Sequence, residues 1–402
     1  MREAVGARIG MHAGHGTGGT ESMPQMPSTR RVLVVAGTRP ECLKVASVVT
    51  ALRRHAGTET ILANSGQHAA MVERTLAHLG LRSDLALEPV VAATLSHAVA
   101  DLRRHVLAAI RAANIDLVIA QGDTSTAYAT ALASRDAGVP LAHVEAGLRT
   151  PHPYRPFPEQ LFRRRIARLA RIHYAPTVAA CANLVAEGID PAAIVRVGNT
   201  IVDLLREQVE AGCREPRVGE TLLLTLHRRE NYGRGLDHVC AAVLELIGRH
   251  PTLGVVCPLH PNPAIRSRIR RNLGGVAGID LVEPLDYAPF IAELARARLV
   301  ITDSGGIQEE APYLGAPVLV VRENTERPES LALGTSILVA PQVDAIVAAA
   351  SRMLDAPRPR ACAFDADAPF GDGRSGERIA AHLQGILRHD ATRPIEPLAV
   401  NA

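Results

Sequence analysis

Apolar residues fall into short β-branched runs and helix-spaced stretches that alternate along most of the chain. Residues 31–35 form a compact strand-like run ending at Gly37. Residues 40–53 follow with Leu43, Val45, Ala46, Val49 and Leu52 at helical spacing. The alternation continues with a strand at 60–63, helices at 67–79 and 95–113, and strands at 117–120 and 139–144. It restarts after Gly198, with strands at 220–226, 254–257, 279–282, 299–302 and 318–321. Helices at 236–249, 263–273, 290–296 and 306–314 separate them, and a last helix spans 375–388. Strands that alternate with helices predict parallel sheets covered on both faces, here in two α/β halves. The predicted boundaries are a disordered tail over 1–30, an N-terminal Rossmann-like domain over 31–198 and a C-terminal one over 199–370. Residues 371–390 form a C-terminal helix.

Composition narrows the class. Of 402 residues, 47% are hydrophobic and 21% charged, enough to fill two cores. Lys+Arg 44 against Asp+Glu 41 leaves +3, and aromatics are 3% with no Trp. Neither figure suits a nucleic-acid binder. No apolar run reaches the ~18 residues of a membrane span, and the first 30 residues lack a secretory h-region, so the expected location is the cytoplasm. The six cysteines form no CxxC pair, so neither a zinc ribbon nor a disulfide framework is expected. No cofactor and no metal are expected either. Lys44 is the only lysine beside 43 arginines, which marks a position that needs a compact point charge rather than a planar fork.

In open parallel sheets, ligands meet the carboxyl ends of the strands. Polar clusters stand there in this sequence. Gly37-Thr38-Arg39-Pro40-Glu41, with Lys44 beyond, opens a helix whose N-terminus favours an anion. Asp123 after the strand at 117–120 reads equally well as a helix N-cap. Glu145 directly follows a buried strand and must pair with an arginine or face a ligand. Glu159 occupies a first helical turn. In the second half, His227 and His260 stand at successive strand ends. Ser304-Gly305-Gly306 opens a helix with backbone N–H groups directed at a phosphate-sized anion. Glu310 lies one turn in, where it could accept two vicinal hydroxyls, and Arg327 adds a cation. Gly14-His15-Gly16-Thr17-Gly18-Gly19 fits a dinucleotide fingerprint, but no strand precedes it and no helix follows.

Taken in order over about residues 31–388, these motifs resemble the non-hydrolysing UDP-N-acetylglucosamine 2-epimerases. The resemblance also rests on His143-Val144-Glu145-Ala146-Gly147-Leu148-Arg149, Pro158-Glu159, Gly198-Asn199-Thr200, His227-Arg228-Arg229-Glu230, His260-Pro261-Asn262-Pro263, Thr325-Glu326-Arg327-Pro328-Glu329 and Phe370-Gly371-Asp372-Gly373. It implies a glycosyltransferase-B-like fold, a last helix that crosses back to the first domain, and a homodimer. It implies a UDP-sugar substrate and a reaction in which UDP is eliminated across C1–C2 and added back. By position, Asp123, Glu145, Glu159 and His227 match the family's catalytic residues. Arg39, Lys44, His260, Ser304, Gly305, Gly306 and Arg327 match substrate-binding positions. Glu310 matches the ribose contact, and Leu285 and Phe290 the uracil site. Two positions depart from the pattern. Gln67-His68-Ala69-Ala70 and Ala92-Ala93 stand where many bacterial members carry polar residues of a regulatory site, and alanines supply no side-chain hydrogen bonds. Gln160-Leu161-Phe162-Arg163 replaces a more polar run. A hydrolysing epimerase and a glycosyltransferase on the same fold remain alternatives at this point.

Overall fold

The computed structural model describes residues 29–213, 220–227 and 232–389. The expected tail (but for residues 29 and 30), the glycine match within it, Arg228-Arg229-Glu230 and residue 390 lie outside the described residues. Two all-parallel sheets organise the chain. The first runs β3-β2-β1-β4-β5-β6-β7, from β1 (Arg30–Ala36), β2 (Thr58–Asn64), β3 (Leu85–Ala86), β4 (Leu117–Gln121), β5 (Leu141–Val144), β6 (Ile172–Ala175) and β7 (Ile194–Arg196). The second runs β10-β9-β8-β11-β12-β13, from β8 (Thr221–Thr225), β9 (Gly254–Pro258), β10 (Ile279–Val282), β11 (Leu299–Thr302), β12 (Val318–Val321) and β13 (Ser336–Val339). Both orders reverse direction at one point, between β1 and β4 and between β8 and β11. Those are the topological switch points where such sheets open a crevice.

Helices α1 (Arg39–Arg53), α2 (Ala69–His78), α3 (Leu95–Ala112), α4 (Ser125–Ala137), α5 (Glu159–Leu169) and α6 (Val178–Ala186) accompany the first sheet. Helices α7 (Thr200–Gln208), α8 (Arg234–Arg249), α9 (Pro263–Leu273), α10 (Tyr287–Arg296), α11 (Ile307–Leu314), α12 (Pro328–Ala332) and α13 (Val343–Asp355) follow with the second. The central strands are buried on both faces, which is why they read as continuous apolar runs rather than alternating ones.

Several of these elements lie outside the sequence expectation, for physical reasons. β3 and β7 have two and three residues, too few for any period to register. β6 (IHYA) buries His173 and Tyr174, so a polar-looking segment sits in the sheet. α4 packs mainly through Ala, Thr and Ser, which contrast weakly with its exposed face. α13 buries Ile346, Val347, Ala350, Met353 and Leu354 at helical spacing, a pattern that the sequence expectation did not include.

The last helix, α14 (Ser375–His389), leaves the second half. Its Ile379, Ala380, Leu383 and Leu387 join the core formed by Val45, Val48, Val49 and Leu52 of α1 beneath the first sheet. Asp203 of α7 caps it, accepting the N–H groups of Ser375 (2.9 Å) and Gly376 (2.7 Å). The chain therefore passes between the halves twice, and the two passages touch. Asn199 N–H donates to the Phe370 carbonyl at 2.7 Å. Gly198 (φ +92) and Gly371 (φ +100) both hold left-handed backbone. A Cβ on Gly371 would come within 2.8 Å of the Gly198 Cα, so backbone meets backbone. Replacing Gly371 by Ala should cost about 1–3 kcal/mol, from the forced positive φ and the clash. A thermal melt checks this, and an unchanged midpoint would contradict the double-crossing geometry.

Candidate active site

The carboxyl ends of both sheets face one cavity of about 680 Å³. From the first half its wall takes Arg39, Lys44, Asp123, Glu145 and Glu159. From the second it takes His227, Leu285, Phe290, Ser304, Gly305, Gly306, Glu310 and Arg327. Thirteen of the fourteen residues singled out in the sequence thus share one wall. His260 does not lie on it. Its ring sits 5.3 Å from that of His227, centroid to centroid, and its Nδ1 accepts the Asn262 N–H at 2.9 Å. His260 thus stands beside His227 and Tyr232, between Leu259 and Pro261, which both line the cavity.

Local structure explains how each side chain is presented. Thr38 caps α1, and Glu41 three residues on reaches back in capping-box fashion. The Glu41 carboxylate accepts Gly37 N–H (3.0 Å), the Thr38 hydroxyl (2.8 Å) and the Thr124 hydroxyl (2.6 Å). It ties the loop after β1 to the loop after β4. Burial lifts its carboxyl to about 7, against these hydrogen bonds. Thr124, not Asp123, caps α4, accepting Ala127 N–H at 3.0 Å. Asp123 is consequently free of the capping role that the sequence also allowed, and it points to the cavity. The loop is held on its other flank by His143. That ring is buried, and burial lowers its affinity for a proton to a pKa of about 4. As the neutral ring it donates from Nε2 to the Gly122 carbonyl at 2.7 Å.

Glu145 is one of two non-glycine residues with positive φ among the described residues (+65). A strained turn directly after β5 swings its side chain into the cavity. There it meets Lys44 Nζ at 2.5 Å and Arg327 Nη2 at 3.3 Å. It also accepts from Gln121 Nε2 and, at 3.5 Å, Asn199 Nδ2. Burial alone would push this carboxyl up. The ammonium and the guanidinium outweigh it and hold the carboxyl well below the usual range.

Lys44 and Arg327 share a second acid, Glu309 of α11, at 3.1 Å and 2.7 Å. The four side chains close a buried ring of two cations and two carboxylates that crosses from one half to the other. Lys44 sits in it as a compact charge between two acids, as its isolation among arginines suggested. A parallel branch runs from Asp123 to Arg163 of α5 (2.5 Å) and on to Glu326 (3.1 Å).

The second half presents the N-terminus of α11 to the cavity through Ser304, Gly305, Gly306 and Ile307. Gly305 is required by contact rather than by φ. A Cβ there would lie 2.5 Å from Arg327 Nη1, so the guanidinium passes directly over the loop. Glu310 accepts the Tyr287 hydroxyl at 2.8 Å, and burial raises its carboxyl to about 7. Arg39 donates to the Leu285 carbonyl at 2.7 Å, another link between the halves.

Four members of this arrangement were not singled out in the sequence. Glu309 and Glu326 each adjoin a residue that was, and Arg163 lies four positions after Glu159 on the same helical face. Glu41 gave the capping-box signal of a Thr followed three residues later by Glu. None of these spacings discloses that the partners lie across the cavity.

Two facing parallel sheets, with acids on one wall and a cationic helix-terminal cradle on the other, define the two-domain glycosyltransferase-B architecture. The family model for UDP-N-acetylglucosamine 2-epimerase matches residues 50–384, and the chain belongs to that family. It is 39% identical over 373 residues to the "Probable UDP-N-acetylglucosamine 2-epimerase" of Ralstonia solanacearum, covering 89% of this chain and 100% of that one. Its fold matches the crystal structure of UDP-GlcNAc 2-epimerase from Neisseria meningitidis bound to UDP-GlcNAc, with a TM-score of 0.83 and 32% identity, over 88% of this chain and 100% of that one. The Methanocaldococcus jannaschii UDP-GlcNAc 2-epimerase in complex with UDP-GlcNAc and UDP matches at a TM-score of 0.78 and 30% identity, over 88% and 99%.

Replacing Lys44 by Met leaves two buried carboxylates facing Arg327 alone. The loss should be about 3–5 kcal/mol of stability. The Glu145 carboxyl should then titrate at higher pH than in the native protein, because the ammonium that favoured its charged form is gone. Carbon-13 NMR of labelled glutamate reads the shift, and an unmoved resonance would refute the ring.

Proposed function

We propose that the protein interconverts UDP-N-acetylglucosamine and UDP-N-acetylmannosamine, keeping the sugar on its nucleotide. The observation that carries this reading is the placement of Asp123, Glu145 and Glu159 on one wall of a cavity whose other wall is the α11 N-terminus with Arg327. C2 of the sugar has no adjacent carbonyl, so loss of its proton must be coupled to departure of a leaving group. In the forward direction the C2–H bond breaks and a carboxylate takes the proton. The C1–O bond breaks with it, UDP leaves with the electron pair, and a C1=C2 double bond forms. A proton delivered to the opposite face of C2, with UDP adding back at C1, gives the epimer. The N–H groups at the start of α11, with Arg39, Lys44 and Arg327, would hold the diphosphate and stabilise its growing charge. His227 would stand near the departing oxygen, Glu310 would accept the ribose hydroxyls, and Leu285 and Phe290 would flank uracil.

The ionic ring fits this chemistry. Lys44 and Arg327 are paired with Glu145 and Glu309. An incoming diphosphate competes for both cations. Glu145 then loses the charges that suppress its basicity, and it becomes a better proton acceptor when substrate is bound. A homodimer, implied by the resemblance, belongs to the same proposal.

In heavy water, the protein should place deuterium at C2 of the hexose, and NMR should show the product still joined to UDP. Asp123→Asn should reduce exchange at least about a hundredfold, as removal of a group that transfers the proton does, while UDP binding stays measurable. Release of free N-acetylmannosamine would instead identify a hydrolysing enzyme, and absence of exchange would overturn the elimination.

The proposal extends to regulation. Gln67 accepts from Thr126 Oγ1 (2.7 Å) and Thr126 N–H (3.2 Å), so its carbonyl is committed to the first turn of α4. Ala69, Ala70, Ala92 and Ala93 offer no polar side chain beside it. Rates should follow a hyperbola in substrate concentration, and a sigmoidal curve would show that substrate activation survives.

A further inference from the structure

Glu326 follows β12 in the second half and does not belong to the cavity wall. It is 2% exposed, yet three arginines converge on it. Arg163 reaches it from the first half at 3.1 Å, Arg322 at 2.9 Å and Arg327 at 3.2 Å. Two of these guanidiniums have a second engagement. Arg163 grips Asp123 with its other terminal nitrogen at 2.5 Å, and Arg327 grips Glu145 at 3.3 Å. One buried carboxylate of the second half is therefore joined, through one planar fork each, to two acids of the first half.

From this geometry we propose that Glu326 is the positioning residue that makes the electrostatics of Asp123 and Glu145 depend on closure of the two halves. The inference rests on the proposed function. A guanidinium bonded at one end can swing about its long side chain; bonded at both ends it is fixed. When the halves meet, Glu326 fixes Arg163, which fixes Asp123. It also orients Arg327, which bridges Glu145 and Glu309. When they part, Arg163 remains with Asp123 but loses its anchor, and Glu145 loses Arg327 altogether. Both acids then acquire their working surroundings only in the closed cavity, where water is excluded and the glycal intermediate would be retained. Arg322, which lies off the cavity wall, adds a further cation beside the buried carboxylate.

The test compares native protein, Glu326→Gln, Arg163→Lys and the double variant. For each, kcat for C2 exchange in heavy water, the Kd for UDP and the thermal midpoint are measured. Glu326→Gln should lower kcat at least tenfold while Kd for UDP changes less than threefold. A lysine at 163 lacks the planar fork whose two terminal nitrogens hold Asp123 and Glu326 separately, so Arg163→Lys should show a similar loss. Because both changes break the same link, the double variant should be no slower than the slower single one. Native rates in Glu326→Gln, or losses that multiply in the double variant, would overturn the proposal. If Glu326→Gln does not fold, Arg163→Lys decides alone: kcat must fall with UDP affinity kept. Absence of exchange in the native protein would defeat the functional reading itself, and this inference with it.

Discussion

A charge can be buried only beside its opposite, and that constraint shapes the centre of this molecule. Lys44, Glu145, Glu309 and Arg327 are almost wholly removed from water. Each taken alone would carry a desolvation penalty of several kcal/mol. Together they form a closed set of equal and opposite charge, and the set is complete only when residues of both halves meet.

The remaining structure keeps these groups in place. The loops after β1 and β4 are joined through Glu41 and steadied by His143, so Asp123 stands on a hydrogen-bonded support. Thr124 takes over the capping of α4 and releases Asp123 for the cavity. The strained backbone of Glu145 is tolerated because four side chains hold its carboxylate. Gly198 and Gly371 let the two chain crossings touch, and Asn199 beside them reaches Glu145. The halves are joined there by two chain segments, by the packing of α7 and α14 against α1, and by ionic contacts across the cavity.

The charge pattern also bears on the order of events proposed for the reaction. A diphosphate that displaces Glu145 and Glu309 must offer at least as good a set of acceptors. The same displacement returns basicity to Glu145 at the moment substrate is in position. In the proposed reaction, binding and activation would be coupled through these shared cations.

The two parallel sheets were legible because strands buried on both faces and helices buried on one leave different periods in the chain. The candidate residues were legible because parallel sheets deliver their ligands to strand ends, and Asp123, Glu145, His227 and Ser304 all stand there. The lone lysine lies on the cavity wall between two acids. Short strands such as β3 and β7 left no period to read, and polar strands such as β6 concealed theirs. The pairing across the cavity had no local trace. Glu326 and Arg163 are 163 positions apart, and nothing in the neighbourhood of either specifies the other. Sequence fixes which charges exist and where each element begins. Only the folded chain decides which charges share a place from which water is excluded, because that depends on how two separately built halves come to face each other.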